Sequence, residues 1–279
     1  FLSFARAYSI PPLPLNETTL LRFIAFLDSE QLSVNTIRSY LSALRAWVIS
    51  LGLPEPTIWS PRVTLATRAL ARAQPPPSQA TPIDFSLLVA LIESLPFSLD
   101  SLAFASALSL QFFGCLRASE LCPDPKFGTF PLRSSLVFDP SHTPPLVRYS
   151  APSSKTSPHG LVVSVGCSGH PVCAPCLLHN FISSFPASSS SPLFSLSSGE
   201  PLSYSVYNSW LKYSISSIGL DSSTFSSHSL RAGSATQAAK AGFSSIHIQR
   251  LGRWKSGAYT LYMRPDPDSY SSYARHLAN

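Results

Sequence analysis

Two pairs of side chains have the type and spacing needed for chemistry on a phosphate group. Arg117 is followed three positions later by Glu120, and His228 stands three positions before Arg231. Two guanidinium groups can neutralise and position the extra negative charge that develops on phosphate oxygens during transfer of a phosphodiester, with no metal ion required. An imidazole beside such a phosphate can carry a proton to or from an attacking group.

Each of these residues also has an ordinary structural interpretation. Arg117 and Arg231 could each form a salt bridge. Glu120, one helical turn from Arg117, could hold that guanidinium, support His228 or simply face solvent. On a helix that starts near Ser227, His228 shares a face with Arg231, or it forms a local hydrogen bond at the helix end.

Further segments complete an ordered set: Ser154-Lys155-Thr156, Gly252-Arg253-Trp254 and Tyr262-Met263-Arg264. With the two pairs, this set resembles the tyrosine recombinase and integrase family. The family's signature is an arginine with an acidic residue three positions on, a lysine in a β-turn, His-x-x-Arg, a His or Trp, and a tyrosine eight or nine positions later. The resemblance covers essentially the whole chain. The local sequence around Trp254 and Tyr262 further resembles that of eukaryotic mobile-element recombinases of the DIRS-like, Ngaro and Crypton groups.

The resemblance implies DNA strand cleavage and rejoining, for recombination or integration of a mobile element, through a 3′-phosphotyrosine intermediate. Tyr262 is the expected nucleophile, because it lies eight residues beyond Trp254 and is followed by Met263-Arg264, whereas Tyr259 is assigned to packing. Lys155, at the tip of a predicted hairpin, could protonate the leaving 5′ oxygen, or it is an ordinary exposed turn lysine. Trp254 could donate its indole N–H to a phosphate oxygen, or it packs in the core.

The hydrophobic pattern predicts a mainly α protein of two domains. A helical core-binding domain spans 1–74, a Pro-rich linker spans 75–81, and an α+β catalytic domain with a small antiparallel sheet spans 82–279. Helices are expected within 16–51, over 61–72, 84–94 and 101–114, and from near 204 onward. Strands are expected at 135–138, 147–150 and 161–165, and a Ser-rich loop at 183–198.

Positive charge points to a polyanionic partner. The net charge is +6, and 15 of the 20 basic residues are arginine, whose planar guanidinium matches phosphate. Two pairs of arginines at helical spacing are the expected DNA-binding residues of the first domain: Arg38 with Arg45, and Arg68 with Arg72. The alternative is that they form a solvated basic face. The implied partners are double-stranded DNA and further copies of the chain, as a tetramer on DNA and a dimer or monomer off it.

The five cysteines, an odd number without a dense framework, suit free thiols in a reducing compartment. No stretch is long and apolar enough to span a membrane, so we expect a soluble intracellular protein, nuclear if it belongs to a eukaryotic mobile element. Metal-ligand residue types crowd within 167–179, and Cys173-x-x-Cys176 has a zinc spacing. Since no second Cys-x-x-Cys accompanies it, neither a metal nor another cofactor is assigned.

Three rival functions remain open from the sequence. One is DNA relaxation by the same chemistry, as in a type IB topoisomerase. The second is an inactive, domesticated DNA-binding protein that retains the fold. The third is a helical interaction module, which DNA binding without salt dependence and without Tyr262 chemistry would indicate.

Overall fold

The chain divides into two compact units. The computed structural model describes residues 1–53, 60–75, 80–122, 131–141, 145–152 and 160–261. Unit 1 comprises Phe1–Ser78 and unit 2 comprises Gln79–Asn279. The division therefore falls inside the Pro-rich segment 75–81, where proline removes the backbone donor that a continuing helix needs.

Within its described residues, unit 1 is built from helices. They are α1 (Leu2–Ala7), α2 (Glu17–Ser29), α3 (Val34–Ser50) and α4 (Pro61–Ala73). The side chains of Asn16, Ser33 and Ser60 each accept a hydrogen bond from a backbone N–H three residues on, which fixes the starts of α2, α3 and α4. The short α1 was not predicted, because six residues carry too little periodic pattern to detect.

The apolar faces of these helices enclose one core. Phe23, Ile37, Leu41 and Val63 are buried members of it. On α3 the buried positions 37, 41, 44 and 48 recur every three or four residues, as the sequence pattern predicted.

Unit 2 contains the remaining helices, among which α6 is central. They are α5 (Phe85–Glu93), α6 (Leu99–Phe113), α7 (Ala174–Ser184), α8 (Tyr204–Ser217), α9 (His228–Lys240) and α10 (Ser245–Gly252). Ten consecutive residues of α6, from Ala103 to Phe112, are buried. The helix packs against α5, α7 and α9, so the segment that follows its C-terminus emerges from the middle of the unit.

A three-stranded antiparallel sheet completes unit 2. The strands β1 (Leu136–Asp139), β2 (Leu146–Ala151) and β3 (Leu161–Gly166) lie in the order β1-β2-β3. Tyr149 of β2 lies opposite Leu136 on one side and Val163 on the other, and alternate residues of β2 are buried. The predicted mainly helical fold with a small antiparallel sheet is confirmed.

No helix of the described residues is both long enough and apolar enough to cross a membrane. Two predicted catalytic residues, Lys155 and Tyr262, lie outside the described residues. Lys155 belongs to the connection between β2 and β3, whose paired ends are Ala151 and Leu161. Tyr262 directly follows a 3-10 helix, Gly257–Leu261.

Candidate active site

Glu120 is the buried carboxylate around which the site is organised. The turn after α6 leads through Cys115, whose φ is +46°, to a 3-10 turn, Ala118–Glu120, with Arg117 at its start. The fully buried Glu120 side chain accepts the Arg117 backbone N–H at 2.8 Å and its guanidinium at 2.9 Å. Of the sequence alternatives for Glu120, the structure therefore shows the one in which it holds Arg117.

Arg253 is a second guanidinium on the same carboxylate. Its Nη2 donates to Glu120 Oε2 at 3.2 Å and to the Cys115 carbonyl at 3.0 Å, and its Nη1 donates to the Gly114 carbonyl at 3.1 Å. Arg253 ends α10 with a left-handed φ of +56°, a conformation that costs energy for a non-glycine residue. Arg253 was not predicted as a site residue from the sequence, although its position next to Trp254 in the Gly-Arg-Trp segment indicated that it lies near the site.

Arg231 lies deeper than Arg117. It is 1% exposed, and its Nη1 donates to the Cys115 carbonyl at 2.6 Å while its Nη2 donates to the Gly252 carbonyl. Burial is the main reason why its pKa is lowered. The Nε–H of Arg231 is buried with no hydrogen-bond partner among the described residues. Such an orphaned donor is costly in a folded protein, and an anion brought close to it would remove the cost.

Trp254 covers the Arg231 guanidinium. The Arg231 Cζ lies 4.5 Å from the indole centroid, within the range of a cation–π contact. Trp254 is 8% exposed and shares a small core with Cys115 and Ile248. Its ring rests on Gly252, where an added Cβ would lie 1.7 Å from the indole Cζ3. Tyr259 packs on the same cluster, with its ring centroid 6.4 Å from that of Trp254.

His228 lies at the surface, at the first position of α9. With Arg117, Ser119, Tyr204 and Ser227 it lines an open pocket of about 190 Å³. Desolvation by the neighbouring protein atoms, followed by the positive charges of Arg231 and Arg117, lowers the pKa of His228 from its ordinary value. The lowered pKa favours the neutral imidazole, which is the form that can accept a proton.

These contacts bring five predicted residues into one region: Arg117, Glu120, His228, Arg231 and Trp254. The network formed by Glu120 and the three arginines carries three positive charges and one negative charge. Arg117 has 30% of its side chain exposed and Arg253 has 24%. A partly exposed site with excess positive charge is suited to bind an anion such as phosphate.

The predicted DNA-binding arginines lie on two helices of unit 1. Arg45, Arg68 and Arg72 are exposed and Arg38 is half-buried. On α3, Arg38 and Arg45 lie outside the buried stripe of that helix. These cations are therefore accessible on the surface of their own unit.

The fold is that of tyrosine recombinases. No protein-family model matches the chain, and no curated protein sequence matches it. Among solved structures, it resembles the Tn1549 transposon integrase in complex with circular intermediate DNA, with a TM-score of 0.63 and 14% identity over 95% of this chain and 87% of that one.

Two further structures have the same architecture. XerH site-specific recombinase, bound to palindromic difH substrate, matches with a TM-score of 0.62 and 14% identity over 95% of this chain and 71% of that one. A lambda integrase dimer bound to a COC′ core site matches with a TM-score of 0.55 and 17% identity over 90% and 65% of the two chains.

Proposed function

We propose that this protein cleaves and rejoins DNA strands as a tyrosine recombinase. The observation that carries the proposal is the Arg117–Glu120–Arg253 network, held beside the His228 pocket in unit 2. A buried carboxylate that fixes two partly exposed guanidinium groups gives them defined positions before the substrate arrives. Such preorganised positive charge stabilises a developing phosphoryl charge without further rearrangement.

The described residues take distinct roles in this reaction. Arg117 contacts non-bridging phosphate oxygens from the pocket, and Glu120 and Arg253 position it. Arg231 adds positive charge from beneath, and its buried Nε–H has no hydrogen-bond partner among the described residues. Trp254 holds Arg231 in place through its ring, so positioning is its first role, with the indole N–H as a second donor to the phosphate.

Tyr262 and Lys155 complete the chemistry as the proposed nucleophile and general acid. The Tyr262 oxygen attacks phosphorus while the bond from phosphorus to the 5′ oxygen breaks. His228 accepts the phenol proton, and Lys155 donates a proton to the leaving 5′ oxygen. The products are a 3′-phosphotyrosine and a free 5′-hydroxyl. Attack by a 5′-hydroxyl on the phosphotyrosine reverses the step and reseals the strand, because the ester retains the bond energy.

The biological setting is part of the proposal. Two local sequence motifs support a eukaryotic mobile element of the DIRS-like, Ngaro or Crypton type. They are Gly252-Arg253-Trp254 and Tyr262-Met263-Arg264. In that setting the protein acts in the nucleus, and four copies assemble on two DNA sites. Exposed arginines on α3 and α4 support phosphate contacts by unit 1.

The test is covalent trapping on a nicked suicide DNA substrate that carries the element's own ends. Wild type and Tyr259→Phe should form a protein–DNA adduct that survives denaturation, and Tyr262→Phe should form none. An adduct with Tyr262→Phe would refute the assignment of the nucleophile. If no variant forms an adduct on cognate DNA, the chain is an inactive DNA-binding protein. Loss of supercoils without strand exchange between two sites would indicate the topoisomerase activity instead.

A further inference from the structure

Three of the five cysteines come together at the point where β3 meets α7. All five are free thiols in the structure. Cys167 directly follows β3, Cys173 caps the start of α7, and Cys176 lies in the first turn of that helix. The three sulfur atoms all lie within 4.8 Å of one another. Three thiols from two backbone segments, the end of β3 and the start of α7, thus share one small volume.

The distances suit a tetrahedral metal ion. Cys167 Sγ lies 3.4 Å from Cys173 Sγ and 3.5 Å from Cys176 Sγ. Zinc–thiolate bonds of about 2.3 Å at tetrahedral angles place sulfur atoms about 3.8 Å apart. Only a small outward movement of the side chains is therefore required for one ion to lie among the three sulfurs.

The backbone around the three sulfur atoms can stabilise thiolate ligands. The Ser168 N–H points at Cys173 Sγ, 3.3 Å away, and N–H groups directed at sulfur stabilise thiolates. The turn passes through Gly169 at a φ of +71°, a conformation that glycine adopts without strain. Beneath the turn, the buried Ser109 hydroxyl of α6 donates to the Val172 carbonyl at 2.6 Å, which anchors the residue before Cys173.

One side of the cluster is open. Cys176 is exposed and Cys167 is half-buried, and both line a pocket of about 510 Å³ together with His179. His179 lies one helical turn beyond Cys176, so the two side chains share a face of α7. The other nearby histidine, His170, uses its Nδ1 to accept the Val172 N–H at 3.3 Å. Each histidine also packs its ring edge-on against a phenylalanine, His170 on Phe85 and His179 on Phe138, so the pocket position of His179 is what favours it as the ligand.

We propose that Cys167, Cys173 and Cys176 bind a structural zinc ion, with His179 as the fourth ligand from the pocket. The ion fastens the end of β3 to the start of α7. It therefore braces the sheet whose β2–β3 connection contains Lys155. Zinc is favoured because thiolates and imidazole are its preferred ligands in structural sites. This proposal does not depend on the proposed recombinase activity, since it concerns ligands away from the arginine network.

The test measures zinc in the intact protein, purified under reducing conditions, supplied with zinc chloride and passed through a desalting column. Wild type should retain one zinc per chain. Cys173→Ser and Cys176→Ser should lower zinc affinity by at least about 100-fold, whereas Cys122→Ala, a buried cysteine outside the cluster, should retain the ion. Wild type without zinc, or zinc retained by both serine variants, would overturn the site.

Cobalt substitution keeps the test decisive if a serine variant fails to fold. Wild-type protein loaded with cobalt chloride should show a sulfur-to-cobalt charge-transfer band and the visible bands of tetrahedral coordination, and zinc should abolish both. Absence of these bands, or a thiol titration that finds two of the three cysteines joined in a disulfide under reducing conditions, would refute the proposal.

The fourth ligand is tested with a matched pair of histidine variants. His179→Ala should weaken zinc binding relative to wild type, and His170→Ala should not. Equal zinc affinity for wild type and His179→Ala would remove His179 from the ligand set.

Discussion

The side chain of Glu120 shows how one buried carboxylate organises several cations. It is fully buried and bonds the guanidinium groups of Arg117 and Arg253, at 2.9 and 3.2 Å. Because both arginines are partly exposed, water reduces the energy of each ion pair. The stronger constraint is geometric, since the carboxylate also accepts the Arg117 backbone N–H at 2.8 Å.

Glu120→Gln keeps the shape of this side chain but removes its charge. We expect it to lower the free energy of unfolding by about 1–3 kcal/mol, because buried hydrogen bonds are left imperfectly paired, and to slow adduct formation. Urea denaturation and suicide-substrate cleavage measure the two effects. Asp139→Asn, whose carboxylate pairs with the half-exposed Arg148, is the control and should change stability much less. Equal losses for the two variants would contradict the central role of Glu120.

His228 should titrate below its ordinary value of 6.5 in the folded protein, because desolvation and the charges of Arg231 and Arg117 disfavour the imidazolium. The unfolded chain then binds the proton more readily. The contribution of His228 to stability is therefore complete above pH 6.5 and is lost as the pH falls through the folded pKa. Cleavage should decline over the same acidic range if neutral His228 accepts the phenol proton.

An NMR titration of the His228 ring measures this pKa directly. Arg117→Gln should move the midpoint upward, because one of the nearby positive charges is removed. Arg148→Gln, on the sheet, should leave the midpoint where it is. A wild-type midpoint at or above 6.5 would show that the proposed electrostatic environment is wrong.

At the scale of elements, the position of α9 depends on one close approach. A Cβ added at Gly233 would lie 1.6 Å from the Ile83 carbonyl oxygen, and the Ile83 N–H donates to the Ser229 carbonyl at 3.0 Å. The helix that carries His228 and Arg231 therefore lies directly against the segment before α5. Neither partner can move away easily, because both contacts involve backbone atoms.

Gly233→Ala should destabilise unit 2 by about 1–3 kcal/mol, in the range of overpacked cores, and displace α9. Thermal denaturation, with cleavage assayed well below the melting temperature, measures both consequences. Gly166→Ala is the control, because nothing lies within 4 Å of the added Cβ there and its φ is not positive. An unchanged melting temperature for Gly233→Ala would contradict the close packing.

For the whole molecule, the elements were more predictable than their side-chain contacts. The sequence pattern correctly predicted α3 and α4, and the Ser33 and Ser60 side chains fix the starts of these helices through local hydrogen bonds. β-branched runs separated by turn residues predicted the sheet. The helix α7 was not predicted, because it adjoins the cysteine-rich and Ser-rich segments and lacks strong boundary signals beyond Pro175.

DNA binding by the intact protein should depend strongly on salt, with a share of the dependence contributed by unit 1. Replacing Arg45, Arg68 and Arg72 together with glutamine should reduce the slope of log affinity against log salt concentration by up to about 3, since each phosphate contact contributes about 0.9. Fluorescence anisotropy over a salt series measures the slope. Arg148→Gln, which removes one positive charge outside unit 1, is the control and should leave the slope nearly unchanged. An unchanged slope for the triple variant would show that these arginines form a solvated face.

The sequence by itself determined which reactive residues exist, their order along the chain and most of the helices and strands, because these properties follow from local pattern and residue chemistry. Only the tertiary structure decided which side chains from distant segments contact one another. Glu120 pairs with Arg253, 133 positions away along the chain, Arg231 is covered by Trp254, and three sulfurs converge between β3 and α7. Such contacts depend on the direction in which packed elements point their side chains, and spacing within a single segment does not encode that direction.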